Sequence, residues 1–206
     1  MNPKSEIISF FKRMYQKNLT TASGGNISIL VDGLLYISPT GKDKAFLEEE
    51  DISVIEFESG KLLFGLKPTS EILMHRKIYE TRKDVKTIVH AHPFYSTLFS
   101  VIDEPIRIDL VSEAAIFIKK INYVDYAVPG SEKLANLVAK TITDSDVLIL
   151  RNHGALAVGE NCMDCFHKIE VLEFNAKLQY LISGRNDINF LKDKDLKEIR
   201  EIFSHR

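Results

Sequence analysis

KTIVHAHP, residues Lys86–Pro93, decides how the rest of the chain is read. A run this apolar predicts a buried strand. Successive strand side chains point to opposite faces, so Ile88, His90 and His92 share one side. Pro93 supplies no ladder donor and ends the strand at its two histidines. A single histidine there would read as a core residue satisfied by a hydrogen bond. Two imidazoles aimed into one dry space are costly unless something is shared between them, and a divalent metal such as zinc removes that cost. Two ligands do not hold a catalytic zinc, so a third is expected from elsewhere in the chain.

Working outward, His153 is the candidate. It stands in Arg151-Asn152-His153-Gly154, just past the apolar run Val147–Leu150. Strand ends present functional groups, and Gly154 permits a tight turn or a close backbone approach. A turn histidine facing solvent is the competing reading on this segment alone. Three neutral imidazoles would leave a tetrahedral zinc one open position for substrate oxygens.

The remaining pattern sets these residues in a mixed fold. Asn2-Pro3 opens a first helix whose face carries Ile7, Ile8, Phe11, Met14 and Tyr15. ISILV and LLYIS, separated by Asp32-Gly33, predict a hairpin. A short strand follows around residues 52–57. Lys67-Pro68-Thr69-Ser70 opens a helix reaching about Arg82, capped by Thr69 or Ser70, with Ile72, Leu73, Met74 and Ile78 inward and Glu71 in the first turn. The segment from Phe94 to Asp103 reads as helical or irregular. Apolar runs at 106–111, 114–118 and 123–128 read as three strands or as strand, helix, strand. Ser131 caps a helix to about Thr143, and Ala155–Val158 returns beside Val147–Leu150. Asn161 starts a long helix to Ser183-Gly184, and Leu196, Ile199, Ile202 and Phe203 mark a last one. Hairpins mixed with flanking helices predict one α/β or α+β sandwich with a largely antiparallel sheet, spanning residues 1–206 as one domain.

Composition excludes several classes of function. A net charge of −2 over 206 residues gives no electrostatic case for nucleic acid or an anionic membrane. No apolar stretch nears bilayer length, and the N-terminal segment alternates charge at helical spacing, unlike a signal peptide. Two cysteines make no disulfide framework, so a reducing cytoplasm is the expected compartment. Cys162-Met163-Asp164-Cys165 lacks the second pair a zinc site needs and the thioredoxin-like context a redox pair needs, so it reads as helix packing. His75, His167 and His205 read as non-functional.

Three turns are rich in hydroxyls, amides and free backbone N–H groups: Gly25-Asn26, Thr40-Gly41 and Thr69-Ser70. Such turns and helix starts suit phosphate. Taken alone, Glu71 is a dipole-matched carboxylate of a first helical turn.

In order along the chain, SGGNIS at Ser23–Ser28, ISPTGKDK at Ile37–Lys44, KPTSE at Lys67–Glu71, HAHP at His90–Pro93, PGS at Pro129–Ser131 and NHG at Asn152–Gly154 resemble the class II aldolase/adducin-like family, especially its L-fuculose-1-phosphate aldolase branch. The resemblance spans about Ile7 to Ser183. It implies a single α/β/α domain with a mainly antiparallel central sheet, and a homotetramer with active sites at subunit interfaces. It implies one zinc or other divalent ion per subunit held by His90, His92 and His153. Glu71 is implied as the catalytic acid/base that also touches the metal when substrate is absent. Gly25, Asn26, Thr40, Gly41, Thr69 and Ser70 are implied to bind the substrate phosphate. The implied reaction of this lyase splits the C3–C4 bond of a ketose 1-phosphate into dihydroxyacetone phosphate and an aldehyde such as lactaldehyde, Glu71 moving the proton at C3.

The chain departs from that family in places. Where the family aldolase takes a tyrosine from a neighbouring subunit, IRIDLVSEAAIF has none, which leaves Glu113, Tyr123 and Tyr126 as candidates. The tail also lacks the family's C-terminal tyrosine. ISPTGKDK is similar to the branch that dehydrates methylthioribulose 1-phosphate. Ribulose-5-phosphate 4-epimerases of the family carry aspartate where this chain has Glu71, and adducin-like binding domains lack the metal histidines.

Overall fold

A computed structural model describes residues 2–203; His205 lies outside the described residues. The order of the described elements is α1 (Pro3–Gln16), β1 (Asn26–Val31), β2 (Leu34–Ile37), β3 (Ser53–Glu56), β4 (Leu62–Phe64), α2 (Ile72–Thr81), β5 (Thr87–Ala91), α3 (Phe94–Val101), α4 (Ser112–Phe117), β6 (Ile121–Val124), α5 (Glu132–Thr141), β7 (Val147–Leu150), β8 (Gly154–Gly159), α6 (Cys162–Leu181) and α7 (Asp193–Ile202). The strands form one sheet in the order β4-β3-β2-β1-β5-β8-β7-β6, antiparallel at every pairing except β6 with β7. The expected antiparallel α/β sandwich is therefore the observed architecture.

Period-2 alternation sorts the sheet into two faces. Ile27 and Ile29 of β1, Val89 and Ala91 of β5, and Ala155 and Ala157 of β8 bury against α1, α3, α4 and α6. On the other face Ile88, Leu156, Val158 and Leu148 pack with Met74, Ile78 and Tyr79 of α2 and Leu134 and Val138 of α5. Strand β5 lies between β1 and β8, and all five of its residues are buried. The histidine-bearing strand is thus central in the sheet.

Local signals produced most elements where they were expected. Asn2 Oδ1 accepts from Lys4 N at 3.0 Å to cap α1. Asp32 and Gly33 take φ of 49° and 74° and close the β1–β2 hairpin. Asn161 Oδ1 accepts from Asp164 N at 2.9 Å at the start of α6.

Other details differ. Phe10 is buried on α1 while Tyr15 is exposed, and Leu73 of α2 faces solvent while His75 is wholly buried. Helix α2 begins at Ile72, with Glu71 at its cap position making no side-chain cap bond. Long-range bonds hold the preceding segment extended: Thr40 N donates to Lys67 O and Thr69 N to Ser38 O, each at 3.1 Å. Strand β4 was not expected; it is a three-residue edge strand with exposed side chains. Residues 106–111 form no strand, because α6 and Tyr123 take up their backbone groups. Arg107 N donates to Gln179 Oε1 at 2.8 Å, and Ile106 N to the Tyr123 hydroxyl at 2.7 Å. The next two runs are helix α4 and strand β6, the latter starting two residues before the expected 123. No described helix is long and apolar enough to cross a membrane.

Candidate metal centre

Three strand ends and one helix start deliver the site. His90 is the fourth residue of β5, and His92 follows the strand's last residue. His153 sits in the turn joining β7 to β8, after Asn152 at φ 55°. Gly154 is required there: a Cβ would lie 2.5 Å from Ala91 O and 2.6 Å from His92 Cδ2. Gly25, at φ 70°, likewise lets β1 pass close to β5, since its Cβ would stand 2.7 Å from His90 O. Helix α3 is anchored just beyond His92 by Glu173 of α6, which accepts from Tyr95 N at 2.9 Å and Ser96 N at 2.8 Å.

The three rings converge through their Nε2 atoms. His90 Nε2 is 3.0 Å from His92 Nε2 and 3.2 Å from His153 Nε2. His90 Nδ1–H donates to Ala155 O at 2.9 Å, so its single proton is used and Nε2 presents a lone pair. Burial, reinforced by the neighbouring imidazoles, pushes His90 and His92 down to about 3. Burial lowers His153 as well, against the pull of Glu71. At neutral pH the rings are uncharged and of ligand form. Glu71 adds its carboxylate, with Oε2 3.3 Å from His90 Nε2 and Oε1 3.6 Å from His153 Nε2.

This donor set fits a divalent cation. Three aligned nitrogens and a carboxylate that is 5% exposed meet in one space, and Glu71 Oε1 is buried with no hydrogen-bond donor. Uncompensated acceptors of this kind are stabilised by a shared cation. Tetrahedral Zn–N bonds separate ligand nitrogens by roughly 3.3 Å, close to the two spacings above. His90, His92 and His153 form the group among the described residues that could hold a metal.

The residues expected to bind phosphate fall into two sets. Two of the turns that carry them are joined by the Thr40–Lys67 and Thr69–Ser38 bonds, and the third reaches them through Asn26 Nδ2 to Thr69 Oγ1. Thr40, Gly41 and Ser70 are exposed at their rim, and Gly25 and Thr69 are buried beside them. Asn26 differs from the expectation, because its side chain points inward. Its Nδ2 donates to Glu71 Oε2 at 2.8 Å and to Thr69 Oγ1 at 3.3 Å, and its Oδ1 lies 2.5 Å from His75 Nε2. Both amide hydrogens are thereby taken up within the protein.

Sequence reasoning did not single out Ser28 or Tyr79, and it set His75 aside. All three are buried polar neighbours of Asn26, bonded through Ser28 Oγ to His75 Nδ1 at 2.6 Å and to Tyr79 OH at 2.8 Å. The available signal was the four-residue spacing of Glu71, His75 and Tyr79. Of the residues considered in place of the family tyrosine, Glu113 and Tyr126 are exposed. Tyr123 lies under the Arg151 guanidinium, 4.7 Å from its ring centre. Cys162 and Cys165 are free and wholly buried, and burial pushes both thiols well up. That environment suits packing and not a reactive pair. Beside His92 opens a recess of about 530 Å³ whose walls include Thr21, Phe94, Thr97, Leu98 and Val101.

Comparison with known proteins bears on this site. The family described as Class II Aldolase and Adducin N-terminal domain matches residues 5–180. The chain is 44% identical over 180 residues to an L-fuculose phosphate aldolase of Methanococcus maripaludis, spanning 87% of this chain and 97% of that protein. It is 29% identical over 201 residues to a 3-oxo-tetronate 4-phosphate decarboxylase of Haemophilus influenzae, spanning 95% of each. A solved structure of an L-fuculose 1-phosphate aldolase superposes with a TM-score of 0.89 at 30% identity, over 98% of this chain and 96% of that one.

Proposed function

The chain belongs to the class II aldolase and adducin family, and from that premise we propose that it is a zinc-dependent aldolase cleaving a ketose 1-phosphate. It is a lyase. The products are dihydroxyacetone phosphate and a small aldehyde. L-Fuculose phosphate is the reference substrate by similarity to the Methanococcus maripaludis protein, and lactaldehyde is the aldehyde its cleavage would release. One observation carries the reading: three neutral Nε2 atoms and a buried carboxylate oxygen without a donor meet at the end of the central strand.

His90, His92 and His153 would hold the ion. Bound there, a divalent zinc supplies Lewis-acid polarisation of the substrate carbonyl. The proton chemistry belongs to Glu71. With Oε2 tied to Asn26, Oε1 faces the reacting carbons and gives or takes the proton at C3. Thr40, Gly41, Ser70 and Gly25 offer backbone and hydroxyl donors to the phosphate. The Thr69 hydroxyl accepts from Asn26 and from Glu71 N at 3.3 Å each, so its own proton remains to donate. Fixing the phosphate sets the distance from C3 to the carboxylate. The apolar recess beside His92 takes the aldehyde's carbon end.

We place the enzyme in the cytoplasm as a homotetramer with shared sites. Exposed Phe94 and Val101 at the recess support a covered face.

The relative from Haemophilus influenzae favours one other reading. Decarboxylation of a 3-oxo acid phosphate also breaks a carbon–carbon bond one position from a ketone carbonyl. The two are separated by following dihydroxyacetone phosphate from a panel of ketose 1-phosphates beside carbon dioxide from 3-oxo-tetronate 4-phosphate. Decarboxylation also leaves dihydroxyacetone phosphate, so the substrate discriminates and not that product. The aldolase predicts release from a ketose 1-phosphate. Turnover of 3-oxo-tetronate 4-phosphate alone would overturn it, and turnover of methylthioribulose 1-phosphate alone would move the assignment to a dehydratase.

A further inference from the structure

Behind Glu71, on the side away from the histidine cluster, runs a row of buried polar side chains that the proposed chemistry leaves unused. At the start of α2 and along it, Glu71, His75 and Tyr79 recur every four residues and so share one face. Asn26 and Ser28 recur every second residue on β1 and share one face of the sheet. Four helical residues advance about 6 Å and two strand residues about 6.8 Å, so the two rows stay in step as the helix crosses the strand. His75 and Ser28 are inaccessible to solvent, and Tyr79, Asn26 and Glu71 are nearly so.

The direction of every hydrogen bond in this row follows from the carboxylate. Glu71 Oε2 only accepts, so Asn26 must turn its NH2 toward it. Asn26 Oδ1 then faces His75 Nε2, which must carry that ring's proton. The neutral ring therefore accepts at Nδ1 from the Ser28 hydroxyl, and Ser28 Oγ in turn accepts from Tyr79 OH. Donation runs one way, from Tyr79 through Ser28, His75 and Asn26 to Glu71.

We propose that His75 is a positioning residue for Glu71: its Nε2–H locks the Asn26 amide with NH2 toward the carboxylate, fixing Oε2 and leaving Oε1 to the reaction. Without that donor, Asn26 can rotate and present its carbonyl to Glu71, repelling the carboxylate from its place. This rests on Glu71 being the proton carrier. A merely structural bridge between α2 and β1 would need the row filled, but it would be indifferent to which ring nitrogen bears hydrogen.

The test compares His75→Gln, His75→Asn and His75→Leu in the metal-loaded enzyme. The Gln amide nitrogen reaches the place of Nε2 and keeps the donor to Asn26, whereas the Asn amide reaches only the place of Nδ1. Misplacing the carboxylate should lower kcat about 10- to 100-fold in the Asn and Leu variants, with KM moved by no more than roughly threefold. The Gln variant should recover most of kcat, and all three should keep wild-type metal content. A second readout needs neither metal nor turnover. In the chelated wild-type protein, nitrogen NMR should show His75 protonated at Nε2 and bare at Nδ1. A ring protonated at Nδ1 overturns the proposal even if the variants fail to fold. Equal kcat in the Gln and Asn variants overturns it as well, provided Glu71→Gln is inactive. If Glu71→Gln retains activity, the role of the carboxylate itself has failed, and this inference goes with it.

Discussion

Replacing Glu71 by Gln is expected to move activity and stability in opposite directions. The carboxylate is nearly buried; Oε2 accepts from Asn26 Nδ2 at 2.8 Å, and Oε1 has no donor. In protein stripped of metal, the carboxylate faces ring nitrogens, His90 Nε2 at 3.3 Å from Oε2 and His153 Nε2 at 3.6 Å from Oε1. Gln has the same shape. Its carbonyl can keep the Asn26 bond in the place of Oε2, and its NH2, in the place of Oε1, can donate toward His153. An unsatisfied buried acceptor costs about 1–3 kcal/mol. For a chain of this length each kcal/mol moves Tm by roughly 2–4 °C, so the metal-free variant should melt about 2–12 °C above metal-free wild type. Turnover should fall about 10²- to 10⁴-fold, the contribution of a positioned acid/base, with metal content unchanged. Melting of chelated samples and a coupled assay for dihydroxyacetone phosphate read the two effects. Turnover within tenfold of wild type at full metal occupancy would refute the proton-carrying role. A metal-free variant that melts lower than wild type would refute the claim that Oε1 is uncompensated.

Other substitutions probe the frame around the site. Gly154→Ala puts a Cβ 2.5 Å from Ala91 O, an overpacking expected to cost about 1–3 kcal/mol and to loosen metal binding by displacing His92; chemical denaturation and metal titration check both. Cys162 and Cys165 should resist alkylation at pH 8 in the folded protein and react only on unfolding, since burial raises both thiols; rapid labelling of the native chain would contradict their packing role. Burial pushes Lys44 down to about 8 from 10.5. The unfolded chain therefore binds the extra proton between those values, and stability gains from this residue as pH rises through that window. Lys44→Met should flatten that part of the stability–pH curve.

How much was legible in the sequence depended on the range of the forces involved. The His90 strand, the Asp32-Gly33 hairpin and the Asn161 cap are set by neighbours in the chain, and they stand where pattern and turn chemistry put them. Strand alternation put His90 and His92 on one face, whereas the joining of His153, 63 residues beyond His90, was reachable only through the order of motifs shared with the family. The start of α2 was not: the segment before Ile72 is held extended by bonds to Ser38 and Thr40, about thirty residues earlier. Residues 106–111 look like a strand by composition but are held by Tyr123 and Gln179. Asn26 reads from the resemblance as a phosphate ligand, and His75 from its helix as non-functional. Their pairing depends on the packing of α2 across β1, which neither local stretch encodes alone.

In the proposed chemistry, one ion on His90, His92 and His153 enables carbon–carbon cleavage beside Glu71. The most direct measurement is to strip the enzyme with chelator, add zinc back stepwise and follow dihydroxyacetone phosphate released from L-fuculose 1-phosphate. Stripped enzyme should release none, recovery should be linear and saturate at one zinc per chain, and His153→Ala should fail to recover. Undiminished release from enzyme shown to be metal-free, or full recovery by His153→Ala, would contradict that chemistry.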